Sequence, residues 1–83
     1  MKAYCELGKA LDILARKRDV RGPYSIARQI NTGAEYKVSG QTISRYLYGS
    51  IRPSPNFIKA FVQAFELSKE ESDKLARFYT YEG

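Results

Sequence analysis

Twelve consecutive residues in the middle of the chain carry most of its recognition chemistry: Val38-Ser39-Gly40-Gln41-Thr42-Ile43-Ser44-Arg45-Tyr46-Leu47-Tyr48-Gly49. At about 100° per residue, Ile43, Tyr46 and Leu47 fall on one face of a helix, and Gln41, Ser44, Arg45 and Tyr48 fall on the other. The outer face presents an amide, a hydroxyl and a guanidinium fork. These are the groups that hydrogen-bond base edges in a duplex major groove: amide to adenine, guanidinium to guanine, hydroxyl to either. Gly40, at the start of the helix, leaves room for close approach. A solvated helix face is polar too, so polarity alone settles nothing. The sign of the charge is more telling, because residues 36–65 contain no Asp or Glu although acids are spread over the rest of the chain. A face that is merely solvated tolerates both signs, whereas one that meets phosphates excludes acids.

The remaining residue types exclude most other chemistry. With no histidine, the commonest general base and the commonest metal ligand are both missing. The single Cys5 cannot close an internal disulfide or build a zinc site, and reads as a small packed hydrophobe. Neither a Cys-x-x-Cys pair nor a Gly-rich phosphate loop occurs. Glu70-Glu71-Asp73 is the only acidic cluster, and it sits at a predicted helix start, where acids suit the helix dipole. Seven tyrosines are present without the cationic constellation that a tyrosine nucleophile needs. The expectation is a protein that is not an enzyme, with no catalytic residue, no metal, no cofactor and no small-molecule ligand.

Eighty-three residues and 9.5 kDa make a single domain over residues 1–83. A composition of 43% hydrophobic and 28% charged residues is that of a globular chain rather than a disordered one. Fourteen Lys and Arg against nine Asp and Glu give a net charge of +5. The excess is confined to residues 1–52, with ten basic side chains against four acidic ones; residues 53–83 carry four against five. A basic half joined to a near-neutral half suggests one face for a polyanion and another for packing or a partner. No apolar run is long enough for a membrane span, and the first residues lack the apolar core of a secretory signal. The expected location is cytoplasmic, with the nucleoid. Met1 and Thr80-Tyr81-Glu82-Gly83 read as natural ends, the alternative being one end of a longer chain.

Five short helices are needed to position these residues. Tyr4, Leu7, Leu11 and Leu14 predict a first helix over 2–17, ending in the basic run Arg16-Lys17-Arg18. Pro23 suits a first helical position, and Ile26, Ala27 and Ile30 predict a second helix over about 23–31. Asn31-Thr32-Gly33-Ala34 is turn chemistry. Ser39 as N-cap and Gly49 as stop bound a third helix at about 40–48. Ser54-Pro55 opens a fourth, about 55–66, with the stripe Phe57, Ile58, Phe61, Val62 and Phe65. Ser68-Lys69-Glu70-Glu71 is a capping box that opens a fifth, about 69–80. No segment alternates with period two. The fold class is all-α, a compact five-helix domain whose helix-turn-helix motif spans about 23–49.

The segment Val38–Gly49 resembles the turn and recognition helix of phage-repressor/Cro-like (lambda repressor-like) helix-turn-helix regulators. Ser50-Ile51-Arg52-Pro53-Ser54 is similar to that family's basic, proline-containing loop, and Ser25-Ile26-Ala27-Arg28-Gln29-Ile30 to its first motif helix. Arg16 falls where the family often places an arginine near the end of the first helix. The resemblance covers about residues 5–67. It implies that Gln41, Ser44 and Arg45 read bases, with Gly40 lying against the groove and Ser39 and Thr42 near the sugar–phosphate edge. It also implies phosphate contacts from Arg52 and the Gly49-Ser50 backbone, with Tyr48 and Arg16 beside them. Two features depart from the family pattern. Pro23 stands where a polar residue usually opens the first motif helix, so Tyr24 or Ser25 would take its phosphate. The connection to Val38 is about six residues longer than usual. It is expected to bulge over 32–37, offering Tyr36 and Lys37 to the backbone or a groove, or else to be a surface insertion.

The function these features imply is that of a sequence-specific double-stranded DNA-binding transcriptional regulator, a repressor bound as a homodimer to a palindromic operator. The alternative is an antitoxin-like or adaptor protein whose C-terminal aromatic helix binds a protein partner. Phe57, Phe61, Phe78, Tyr79 and Tyr81 either close the core or form a dimer interface. Arg16-Lys17-Arg18 and Arg21 either solvate a helix end or add phosphate contacts.

Overall fold

The computed structural model describes residues 3–82, with side chains through Thr80. Five helices follow one another: α1 (Glu6–Arg16), α2 (Pro23–Gly33), α3 (Gly40–Tyr48), α4 (Pro55–Ala64) and α5 (Lys69–Glu82). Among the described residues there is no strand, and no helix is long and apolar enough to cross a membrane.

Several boundaries have a local cause. Ser39 and Ser54 cap α3 and α4, their hydroxyl oxygens accepting the N–H of Thr42 at 3.1 Å and of Phe57 at 3.2 Å. The capping box of α5 is reciprocal: Glu71 N–H donates to Ser68 Oγ at 3.2 Å, and Ser68 N–H to Glu71 Oε1 at 3.0 Å. Gly49 ends α3 at φ 77°, a left-handed conformation that glycine adopts without penalty. Its N–H donates to Tyr46 O and that of Ser50 to Arg45 O, the two bonds of a Schellman motif.

Several boundaries differ from the sequence expectation: α2 and α5 each run two residues further, to Gly33 and Glu82, and two other shifts have a visible cause. α1 begins at Glu6 rather than at residue 2, because Cys5 is extended and acts as its cap. The Cys5 thiol accepts the Gly8 N–H at 3.3 Å, while the Cys5 N–H donates to Leu47 O at 2.9 Å. A tertiary bond to α3 therefore sets the start of α1. α4 stops at Ala64, short of 66, because Glu66 turns left-handed at φ 48° and Leu67 N–H returns to Val62 O.

The core draws on every helix: Leu7, Leu11, Leu14 and Ala15; Ile26, Ala27 and Ile30; Ile43, Tyr46 and Leu47; Phe57, Ala60, Phe61 and Ala64, with Phe65 just past α4; and Leu75. Phe57 and Phe61 are completely buried, which removes them from any dimer interface. Phe57 lies 4.7 Å from Tyr46 between ring centroids, and Phe61 stacks on Phe65 at 4.5 Å. The small core uses these rings in full. Phe78 and Tyr79 are partly buried and pack against the same cluster; the Tyr81 side chain lies outside the described residues.

Arg18 ties the C-terminal half to α1. Its guanidinium donates to Phe65 O, to Leu14 O at 3.3 Å, to Glu66 O at 3.4 Å, and to both carboxylate oxygens of Glu71 at 2.8 and 3.3 Å. A forked guanidinium suits this many acceptors, and a lysine would not replace it. The basic run is thus split in role: Arg18 is a fastener, while Arg16 and Lys17 remain exposed.

Candidate nucleic-acid interface

α3 is held mainly by α2 and secondarily by α1. Ile43, Tyr46 and Leu47 anchor its inner side, and burial raises the Tyr46 phenol above its ordinary pKa, with nearby Tyr36 adding to the shift. The outer side is open. Gln41 and Arg45 are exposed, and Ser44 is half-buried. Thr42 is half-buried, its hydroxyl 3.0 Å from that of Ser39, so the two form one polar edge at the helix start. Tyr48 packs edge-on against Tyr4, with centroids 4.9 Å apart. Burial also raises the Tyr4 pKa, and Asp12 and Tyr48 contribute to the rise.

The ion pairs are confined to one part of the chain. Among the described residues, the ion pairs are Lys9–Glu6, Arg16–Asp12, Lys17–Glu71, Arg18–Glu71 and Arg21–Asp19. All lie on α1, on the connection after it, or on Glu71. Exposed cations without an acidic partner among the described residues are Arg28 on α2, Lys37, Arg45 on α3, Arg52, Lys59 on α4, and Lys69, Lys74 and Arg77 on α5. The first turn of α2 contains no acid, and its cap, Gly22, offers no side-chain acceptor. The Tyr24 and Ser25 N–H groups have no intrahelical acceptor by helix geometry and remain for solvent or an anion.

Several expected placements are corrected. Gly40 is buried, with the Tyr24 ring over it: a Cβ at position 40 would lie 2.6 Å from Tyr24 Cγ. The space beside Gly40 is thus filled from within the protein and does not await a groove. The Gly49 and Ser50 N–H groups are both used by the Schellman motif, leaving Ser50 only its exposed hydroxyl. Arg52 donates to Tyr79 O at 3.0 Å and lies 4.2 Å above the Tyr79 ring, so its guanidinium is engaged with α5. Arg16 is not among these: it pairs with Asp12 at 3.1 Å one turn earlier and stays exposed.

The bulge expected over 32–37 does not form either. Its first two residues extend α2 to Gly33, and Tyr36 turns inward onto Phe57, 6.2 Å between centroids. Asn31 staples the connection, donating to Val38 O at 3.1 Å and accepting the Val38 N–H at 2.9 Å. Lys37 remains exposed, as expected.

Sequence reasoning missed the Tyr24–Gly40 contact, the Asn31 staple and the Arg18 fastener. A signal existed only for a fourth feature, Gly8. A glycine inside a helical pattern usually marks close packing, and a Cβ there would collide with the Leu47 carbonyl. Among the described residues, no group of acidic or cysteine side chains is arranged to hold a metal ion. No protein-family model matches the chain, and neither a curated protein nor a solved structure matches it.

Proposed function

We propose that the protein is a sequence-specific double-stranded DNA-binding regulator, a repressor that covers a palindromic operator through the major groove. The observation that carries this is the outer face of α3. It exposes Gln41 and Arg45 beside Ser44, and Arg45 has no acidic partner among the described residues. The resemblance of Val38–Gly49 to a helix-turn-helix recognition segment supports the same reading. Arg45 supplies a guanine contact, Gln41 an adenine contact and Ser44 a hydroxyl to either. Ser39 and Thr42 at the start of α3, with exposed Ser25 and Lys37, contact phosphates in this reading. With extents of 29 × 26 × 22 Å, one copy covers one half-site. Two copies are needed for half-sites about 34 Å apart.

The test is selection from a random duplex pool, followed by anisotropy titration of selected and random duplexes at two salt concentrations. The expected result is a preferred sequence whose affinity falls steeply with salt, with a logarithmic slope of about 0.9 per phosphate contact. Equal affinity for selected and random duplexes overturns the reading. A second reading, binding of a protein partner, is favoured by one feature. An apolar groove of about 240 Å³ between α1 and α5 is lined by Ala10, Leu14, Leu75 and Phe78, with Ile13 56% exposed on it. Co-purification of a partner lost on Ile13→Asp would support it.

A further inference from the structure

The side chain at the N-terminal end of α3 comes from α2. Gly40 opens α3 and has no side chain, yet it is buried because the Tyr24 ring covers it. The fit is tight: a Cβ at Gly40 would lie 2.6 Å from Tyr24 Cγ and 2.7 Å from Cε1. Tyr24 as a whole is 73% exposed, so core burial does not account for a ring here. A helix that enters a major groove meets base edges with its N-terminal residues. A ring seated on Gly40 travels in with that end, and Gly40 is the residue before Gln41. An aromatic carbon surface has no hydrogen bond to offer a base edge, and the one apolar group displayed in the major groove is the thymine 5-methyl.

We propose that the Tyr24 ring, seated on Gly40, reads the 5-methyl group of thymine at the N-terminal end of α3. The inference rests on the DNA-binding function proposed above. The glycine is a requirement of this arrangement, since any side chain at position 40 would displace the ring. The Tyr24 hydroxyl can contact a phosphate without regard to sequence, and the ring supplies the discrimination.

Two experiments test this, using the full chain. In the first, a duplex selected from a random pool is remade with each thymine in turn replaced by uracil, which removes only the 5-methyl group. The wild-type protein and Tyr24→Phe are expected to lose about fourfold in affinity at one thymine of each half-site, the size of one buried methyl group. Tyr24→Ala is expected to lose nothing at that thymine. If no thymine shows a methyl effect that Tyr24→Ala erases, the proposal is overturned while the DNA-binding function stands. If no duplex is preferred at all, that function falls and this inference with it.

In the second experiment, Gly40→Ala is expected to lower the melting temperature. The double variant Tyr24→Ala/Gly40→Ala is expected to recover it, because the vacated volume accepts the methyl group. Recovered stability without recovered methyl discrimination supports the proposal. Strictly additive effects of the two substitutions would mean that the ring is not seated on Gly40, and would overturn it.

Discussion

Gly8→Ala sets two forces of opposite sign against each other where α1 crosses α3. Helix propensity favours alanine over an interior glycine by about 0.5–1 kcal/mol. Packing opposes it. The new methyl group would collide with the Leu47 carbonyl oxygen and lie 2.7 Å from both the Leu47 carbonyl carbon and its Cα. Carbon atoms prefer about 3.5–4.0 Å, so α3 must retreat by roughly 1 Å. All three atoms are backbone, and no rotamer change relieves the clash. Overpacking of this kind costs about 1–3 kcal/mol. The retreat also stretches the 2.9 Å Cys5–Leu47 bond, a loss of about 0.5–1.5 kcal/mol. The net expectation is a destabilisation of roughly 1–3 kcal/mol, a fall in Tm of roughly 5–20 °C for a domain of this size. Thermal and urea unfolding followed by circular dichroism measure it. An unchanged or raised Tm would refute the reasoning, since propensity would then have prevailed and α1 would not bear on the α3 backbone.

Arg45→Ala is expected to cost about 1–3 kcal/mol of discrimination at one base pair and to leave Tm within about 0.5 kcal/mol equivalent; equal losses on selected and random duplexes would count against a base-reading role. The Arg18 guanidinium, with the Ser68 N–H, lowers the Glu71 pKa from 4.5 to about 2. A folded-state value below the unfolded one means stability that is present above about pH 4.5 and lost as pH falls toward 2. Glu71→Gln should flatten that limb in urea midpoints recorded against pH, and parallel curves for the two proteins would refute the assignment. Phe57→Ala should cost about 3–5 kcal/mol independently of protein concentration, since the ring is wholly internal; a concentration-dependent loss would return Phe57 to an interface.

Where local chemistry sufficed, the sequence was legible. Ser39, Ser54 and the Ser68/Glu71 box mark helix starts, and Gly49 marks a stop, because each acts on a backbone group within three residues. The separation of Ile43, Tyr46 and Leu47 from Gln41 and Arg45 follows from helical period alone. Features that depend on distant partners were not legible. Arg18 looked like part of a solvated basic run until three of its acceptor residues, 47 to 53 positions away, were in place. Surplus aromatics at Phe57 and Phe61 looked available for an interface because the sequence does not show how much ring a small core consumes. The 32–37 segment was misjudged for a similar reason. Asn31, a turn residue by composition, spends its side chain on Val38 from within a helix, so the chain closes neatly where a bulge was expected.

The placement of α3 bears on how tightly such a surface can bind. A nine-residue helix is not stable by itself in water, so its order must come from neighbours. Here it is fixed at both ends and along its length: the Tyr24 ring at Gly40, the Schellman motif at Gly49, the Cys5 and Gly8 contacts at Leu47, and three buried side chains between. The α3 backbone is therefore held by the rest of the protein. In the proposed DNA-binding function, Gln41 and Arg45 would each give up rotamer freedom worth about 0.5–1.5 kcal/mol. Because the buried contacts and the outward side chains belong to different residues of the same helix, specificity and folding are separable. The exception is position 40, where the Tyr24 ring makes the same contact serve packing and the exposed surface.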